Sequence, residues 1–328
     1  MAVLVTGGAG YIGSHMVLAL RDRDEQVVVL DNLSTGFREA LAPGAILIEG
    51  DVGDRALVLA LIKKHGIEAI IHFAAKIVVP DSVADPLGYY LNNTVKTREM
   101  IAAAVEGGVG QMIFSSTAAV YGNPQATPVA EDAALMPLSP YGTSKMMSEM
   151  MLRDAAFAHP LRYVVLRYFN VAGADPGGRS GQSTPNATHL IKVAVQTALG
   201  MRPSMQVFGD DYATPDGTCV RDYIHVSDLI GAHAAALAHL RHGGASDVFN
   251  CGYGHGYSVL EVIDAVKRLS GVDFKVDMAP PRAGDPASII ADAARIRHKL
   301  AWMPEHNSLD TIVRSALAWE RQLLNRQS

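Results

Sequence analysis

The chain has 328 residues, of which 49% are hydrophobic and 19% charged, with 30 glycines and 16 prolines; this excludes a disordered or fibrous chain and predicts one large core with a smaller unit packed on it. A formal net charge of -5 without a basic block excludes the phosphate attraction on which nucleic-acid binders depend. No apolar run approaches the ~20 residues of a membrane span, and the MAVLVTGGAG start carries no leader, so a cytoplasmic location is expected. Cys219 and Cys251 match neither a disulfide framework nor a metal spacing and read as buried thiols. The 12 histidines fall in no metal-ligand pattern, so no metal is expected, and His233, His239 and His242 read as decoration of a helix.

In chain order, continuous apolar runs at 2–6, 26–31, 45–51, 68–74, 111–116 and 162–170 have the pattern of strands buried on both faces. Helical patterns at 11–22, 54–65, 86–106 and 140–158 lie between them, each long enough for a right-handed crossover. The fold class this predicts is α/β: a Rossmann-type, doubly wound parallel sheet with a smaller α/β substrate-binding domain. From residue 174 a loop, ADPGGRSGQSTPN, changes the character of the chain, and helical patterns follow at 186–200, 226–242 and 257–270. The expected division is 1–173 for the dinucleotide and 174–328 for the second domain, with some segments interleaved.

The first strand runs into Thr6-Gly7-Gly8-Ala9-Gly10-Tyr11-Ile12-Gly13, where Gly7, Gly10 and Gly13 let the backbone approach a pyrophosphate at the start of a helix. Asp31 closes the second strand 18 residues after Gly13, where a carboxylate can accept both adenosine ribose hydroxyls. An acidic group there repels a 2′-phosphate, so the expected cofactor is NAD and not NADP. Asp51 ends the third strand, either reaching the adenine or ordering a turn, and Phe73-Ala74-Ala75 ends the fourth and is expected to pass close to the cofactor.

Tyr141 and Lys145 stand four residues apart in SPYGTSK, on one helical face, so the ammonium is expected to draw the phenol from about 10 toward neutrality and make it a general base. Ser115-Ser116-Thr117 ends a strand 24 residues upstream of Tyr141, counting from Thr117, and offers a hydroxyl to the substrate oxygen. All of these parts converge on the carboxyl edge of the sheet.

The order TGGAGYIG, HFAA, YYLNN, FSSTAAVYG, SPYGTSK, LRYFN, VFGDDYATPDGTCVRDYIHVSDL and PRAGDP resembles the UDP-glucose 4-epimerase family of extended short-chain dehydrogenases/reductases over nearly the whole chain. The resemblance implies reversible C4 epimerisation of UDP-galactose and UDP-glucose through a 4-keto sugar, with tightly retained NAD and a homodimer. Tyr141, Lys145 and Thr117 match the catalytic positions, Ser116 being the alternative to Thr117. To the cofactor the resemblance assigns Tyr11, Ile12, Asn32, Val52, Asn92, Ser115 and Tyr168 beside those already named. To the UDP-hexose it assigns Thr117, Tyr141, Asn170, Leu190, Val207, Phe208, Arg221, Arg282 and Asp285. Guanidinium forks suit diphosphate oxygens, although Arg221 can instead pair with Asp222 or Asp228.

Lys76 comes one residue earlier than in relatives, with Ile77 in the usual place of the lysine, and His189 replaces an asparagine. Where the family governs sugar selectivity this chain has Ser288-Ile289 and no tyrosine, which leaves N-acetylhexosamine acceptance open. A 4,6-dehydratase needs an Asp-Glu pair after the hydroxyl residue, and here Ala118-Ala119 follow Thr117, so elimination lacks its proton carriers. Uronate and pentose nucleotides remain alternative substrates, and a non-catalytic redox sensor is disfavoured by Tyr141 and Lys145. KMMSEMML reads as core or subunit interface.

Overall fold

A computed structural model describes residues 2–185, 187–282 and 285–327. Six parallel strands form in the first half: β1 (Ala2–Thr6), β2 (Gln26–Asp31), β3 (Ile46–Glu49), β4 (Ile67–His72), β5 (Gln111–Thr117) and β6 (Arg162–Tyr168). Alternate residues point to opposite faces, and both faces are apolar. Val3, Val5, Val27, Val29 and Ile71 join one core, while Leu4, Val28, Leu30, Ile70 and Phe114 join the other.

The crossovers are α1 (Tyr11–Arg21), α2 (Arg55–His65), a broken segment and α6 (Pro140–Ala158). The single helix expected over 86–106 is interrupted: α3 (Val79–Ala84) and α4 (Pro86–Tyr89) precede a π turn over Tyr90–Val95, and only then does α5 (Lys96–Glu106) run on. Buried Asn93 lies inside the wide turn and clasps the strand-following loop. It accepts from the Lys76 N–H and donates to the Lys76 carbonyl, both at 2.9 Å. Such bulges commonly mark functional ground.

Beyond residue 168 come β7 (Asn170–Ala172), α7 (Leu190–Ala198), β8 (Met205–Phe208), β9 (Val220–Arg221), β10 (Tyr223–His225), α8 (Val226–Arg241), β11 (Asp247–Cys251), β12 (Tyr257–Ser258) and α9 (Val259–Ser270). The chain closes with β13 (Val276–Ala279), β14 (Ser288–Ile289), α10 (Ala294–Leu300) and α11 (Leu309–Gln327). Small sheets pair β7 with β10, β8 with β13, and β9 with β12 and β14.

The main sheet has the order β3-β2-β1-β4-β5-β6-β11, so its seventh strand, β11, comes from the segment allotted to the second domain. Helix α8 also packs on β5 and β6. The sheet is therefore not confined to 1–173. Order reverses between β1 and β4, which opens the crevice at their carboxyl ends where such sheets bind ligands. Among the described residues no helix is long and apolar enough to cross a membrane.

Candidate active site

The Gly-rich turn leaves β1 at this crevice. Gly7 adopts φ +69°, and a Cβ there would stand 2.6 Å from the Ala74 nitrogen; one on Gly13 would stand 2.2 Å from the Gly7 carbonyl. These two glycines are required by the chain's own close packing. At Gly10 a Cβ would meet only the Gly7 carbonyl, at 3.3 Å, so the open side of the turn lies there. No side chain caps α1 at Gly10, and no acidic residue occupies its first turn. Its start accordingly offers N–H groups and positive dipole to an anion.

Asp31 accepts from the Ala9 N–H at 2.9 Å through Oδ2 and from Leu33 at 2.8 Å through Oδ1, which leaves each oxygen a further lone pair for a hydroxyl. Asn32 orders the next turn by accepting from Ser34. An uncapped helix start, a side-chain-free approach and a preset carboxylate together fit a dinucleotide. Asp51 forms its turn with the Gly53 N–H at 2.8 Å and an ion pair with Lys96, and that cation contributes to holding its carboxyl below the usual range. Val52 beside it is buried.

Phe73 packs on the His233 ring with centroids 4.8 Å apart, and Tyr168 lies 6.2 Å from the same ring. His233 is thus core and not helix decoration: wholly buried, it engages the Leu229 carbonyl and is pushed down to about 4 by burial. The Tyr168 hydroxyl meets the Ser115 hydroxyl in a short contact. Tyr11 turns its hydroxyl away from the turn and donates to the Gly173 carbonyl at 2.6 Å, while Ile12 packs against the core. Asn92 donates to Asn93, whose clasping role nothing in the sequence separated from that of its neighbour.

Helix α6 starts at Pro140, with the Ser139 hydroxyl accepting from Gly142. A Cβ on Gly142 would stand 2.5 Å from the Ala119 carbonyl. That glycine lets the helix approach the end of β5, which brings Tyr141 toward Thr117. The Thr117 hydroxyl also accepts from the Ala119 N–H at 3.1 Å.

Lys145 does not draw the phenol down as expected. Its ammonium donates to the Ser115 carbonyl at 2.9 Å and lies over the Phe114 ring, 5.0 Å from the centroid. Burial pushes Tyr141 up to about 12, opposed by the Thr117 hydrogen bond, and pushes Lys145 down to about 8, opposed by Glu149. Ser116, the alternative hydroxyl, is committed elsewhere: it is buried and donates to Glu149, which holds Arg167 in an ion pair at 2.6 Å.

Arg221 is mostly buried and stands 3.8 Å from Asp285, its second contact being the Val220 carbonyl. Neither alternative partner is available to it. Asp222 accepts from Tyr253, Gly254 and Ala291, and Asp228 from Tyr253, Glu305 and His306. Arg282 holds its guanidinium carbon 3.7 Å from the Phe208 ring centroid, which sets a cation over an aromatic face. Val207 points into the core instead, since β8 alternates. Asn170 opens β7 and Leu190 opens α7, both lining a small cavity, and His189 contacts Gln182 at 2.9 Å. Lys76 stands 3.7 Å from Asp85. Cys219 and Cys251 are buried free thiols. Among the described residues no cluster of His, Cys, Asp or Glu is arranged to hold a metal ion.

The model of the NAD dependent epimerase/dehydratase family matches residues 3–252, and the chain belongs to that family. More particularly, it is 56% identical over 321 residues to a UDP-glucose 4-epimerase of Azospirillum brasilense, covering 98% of this chain and 92% of the relative. The structure of UDP-glucose 4-epimerase from Brucella ovis in complex with NAD superposes with a TM-score of 0.94 at 44% identity over 97% of both chains. That of the UDP-Glc/GlcNAc 4-epimerase from Campylobacter jejuni gives 0.85 at 50% identity, covering 98% of this chain and 99% of the other.

Proposed function

We propose that this protein interconverts UDP-galactose and UDP-glucose by inverting C4, with NAD retained throughout. The observation that carries the reading is the placement of Tyr141, at the start of α6, beside Thr117, at the end of β5, on the crevice that the Gly-rich turn opens. Thr117 orients the sugar 4-hydroxyl, and Tyr141, once ionised by added positive charge in the crevice, accepts its proton. Held at the Gly-rich turn and Asp31, NAD would supply the acceptor and donor of a hydride at C4 of the sugar. Tyr141 then gives the proton back, so the reaction is redox-neutral.

Lys145 holds positive charge beneath the crevice, anchored on the Ser115 carbonyl. Arg221 and Arg282 grip the diphosphate, Asp285 the uridine ribose, and Phe208 the base. In this reading the UDP moiety belongs to residues 174–328 apart from α8 and β11, while the sugar reaches Thr117 and Tyr141. Ala118 and Ala119 in place of acids speak against water elimination.

Ile289 is buried in a cluster with Val129, Phe169 and Ala291, with Ser288 on the opposite face of β14, and no tyrosine stands there to close the pocket. This favours UDP-N-acetylhexosamines as a second substrate pair. A homodimer is also proposed: Leu87, Leu91 and Val95 repeat every four residues and stay exposed, as do Met147 and Met150 on the neighbouring α6.

The test is conversion of UDP-galactose by the purified protein without added NAD, beside Tyr141→Phe and UDP-N-acetylgalactosamine. Turnover falling by about 10²-fold or more in the variant supports the reading. A wild-type protein inert toward UDP-hexoses even with NAD overturns it.

A further inference from the structure

We infer that the carboxy-terminal helix α11 sets nucleotide-sugar affinity, its buried Glu320 acting through Lys192 to hold residues 173–185 and the start of α7 where the substrate is received. This rests on the reading of that edge as the nucleotide-sugar site. Lys192 and Glu320 are 7% and 2% exposed and pair at 2.5 Å. The same ammonium donates to the Gln182 carbonyl at 2.6 Å, and the Gln182 amide meets His189, the residue before Leu190. One charge on α11 thus fixes both the end of the loop and the helix start that follows it.

Three further contacts run the same way. Gly181 lies so flat on the Trp319 indole that a Cβ would stand 2.4 Å from the ring. Gln322 donates to the Gly178 carbonyl at 3.1 Å, and the Ser315 hydroxyl accepts from the Ala174 N–H at 3.2 Å. A cavity of about 30 Å³ is lined by Asn170, Leu190 and both members of the ion pair. The opposite edge of the loop is tied to α1 by Tyr11 on Gly173 and by Ser14 on Ser180 at 2.7 Å.

A buried ion pair is a poor way to add stability, because apolar residues of equal volume serve as well or better. What it adds is direction: the Gln182 carbonyl has to sit at one point. Positioning and mere stabilisation therefore separate in the full-length holoenzyme carrying Lys192→Met with Glu320→Leu, which keeps the packing and removes the directional bond.

The expected result is a KM for UDP-galactose raised about tenfold, with kcat within about threefold, and UDP affinity by calorimetry weakened by the same factor. Copurifying NAD stays unchanged, and amide exchange quickens over 174–185 while β1 keeps its protection. Gln322→Ala, which removes only a peripheral contact, moves KM in the same direction by about twofold. Unchanged KM and UDP affinity, or a kcat and melting temperature that fall together without a rise in KM, overturn the inference. A wild-type protein that binds no UDP sinks the functional reading itself, and this inference with it.

Discussion

Tyr141 holds its proton at neutral pH: burial outweighs the help of Thr117 and leaves the phenol near about 12. Ionisation therefore awaits added positive charge in the crevice. Cofactor-free protein and Tyr141→Phe are expected to show the same phenolate absorbance up to about pH 9, whereas a difference appearing near neutrality would refute this account of the phenol. Thr117→Val retains the β-branched shape and removes the hydroxyl, and a loss of tenfold or more in kcat is expected. Ser116→Ala should instead leave kcat alone and lower stability by about 1–3 kcal/mol, because it strips a buried carboxylate of a donor. The YxxxK spacing was legible because four residues along a helix fix a shared face. The acceptor of Lys145 was not, since it is a backbone carbonyl 30 residues away and backbone carbonyls carry no residue signature.

At the scale of elements, the six leading strands were legible from apolar runs that both faces of the sheet demand. The break in the expected helix over 86–106 was not, because Asn92 and Asn93 have the same local preferences, and only the distant Lys76 peptide distinguishes them. Asn93→Ala should lower the unfolding free energy by about 2–3 kcal/mol, read from a urea midpoint, by orphaning that peptide. Asn92→Ala should not. Helix α11 was missed although its pattern was available: Leu309, Ile312, Val313 and Leu317 are buried at helical spacing. The carboxylate-guanidinium pairing of Arg221 with Asp285 lay beyond reading, as it joins residues 64 positions apart whose proximity depends on β9 and β14 pairing.

Among the described residues burial holds five imidazoles below their usual range: His72 at about 3, His225 and His233 at about 4, and His15 and His189 in the same direction. Unfolded histidine binds a proton near about 6.5. Below that pH the unfolded chain takes up protons that the folded one refuses, so each group withdraws up to about 1.4 kcal/mol per pH unit until its folded value is reached. The urea midpoint is expected to fall steeply from pH 6.5 to pH 4, and His233→Leu should flatten that slope. The exposed row of Leu87, Leu91 and Val95 leads to another whole-molecule expectation: Leu91→Glu converts a dimer to a monomer by size-exclusion chromatography. An unchanged elution volume would show the row to be mere surface.

Strand β11 pairs with β6 although 78 positions separate the end of one from the start of the other. During synthesis the outer edge of β6 consequently stays open, its peptide groups unpaired, until residue 251 has cleared the ribosome. Open edges invite pairing with foreign strands. A nascent chain halted between β6 and β11 should need a chaperone's cover, and a gene fragment ending at the first domain's apparent border should yield aggregates instead of an independent dinucleotide binder.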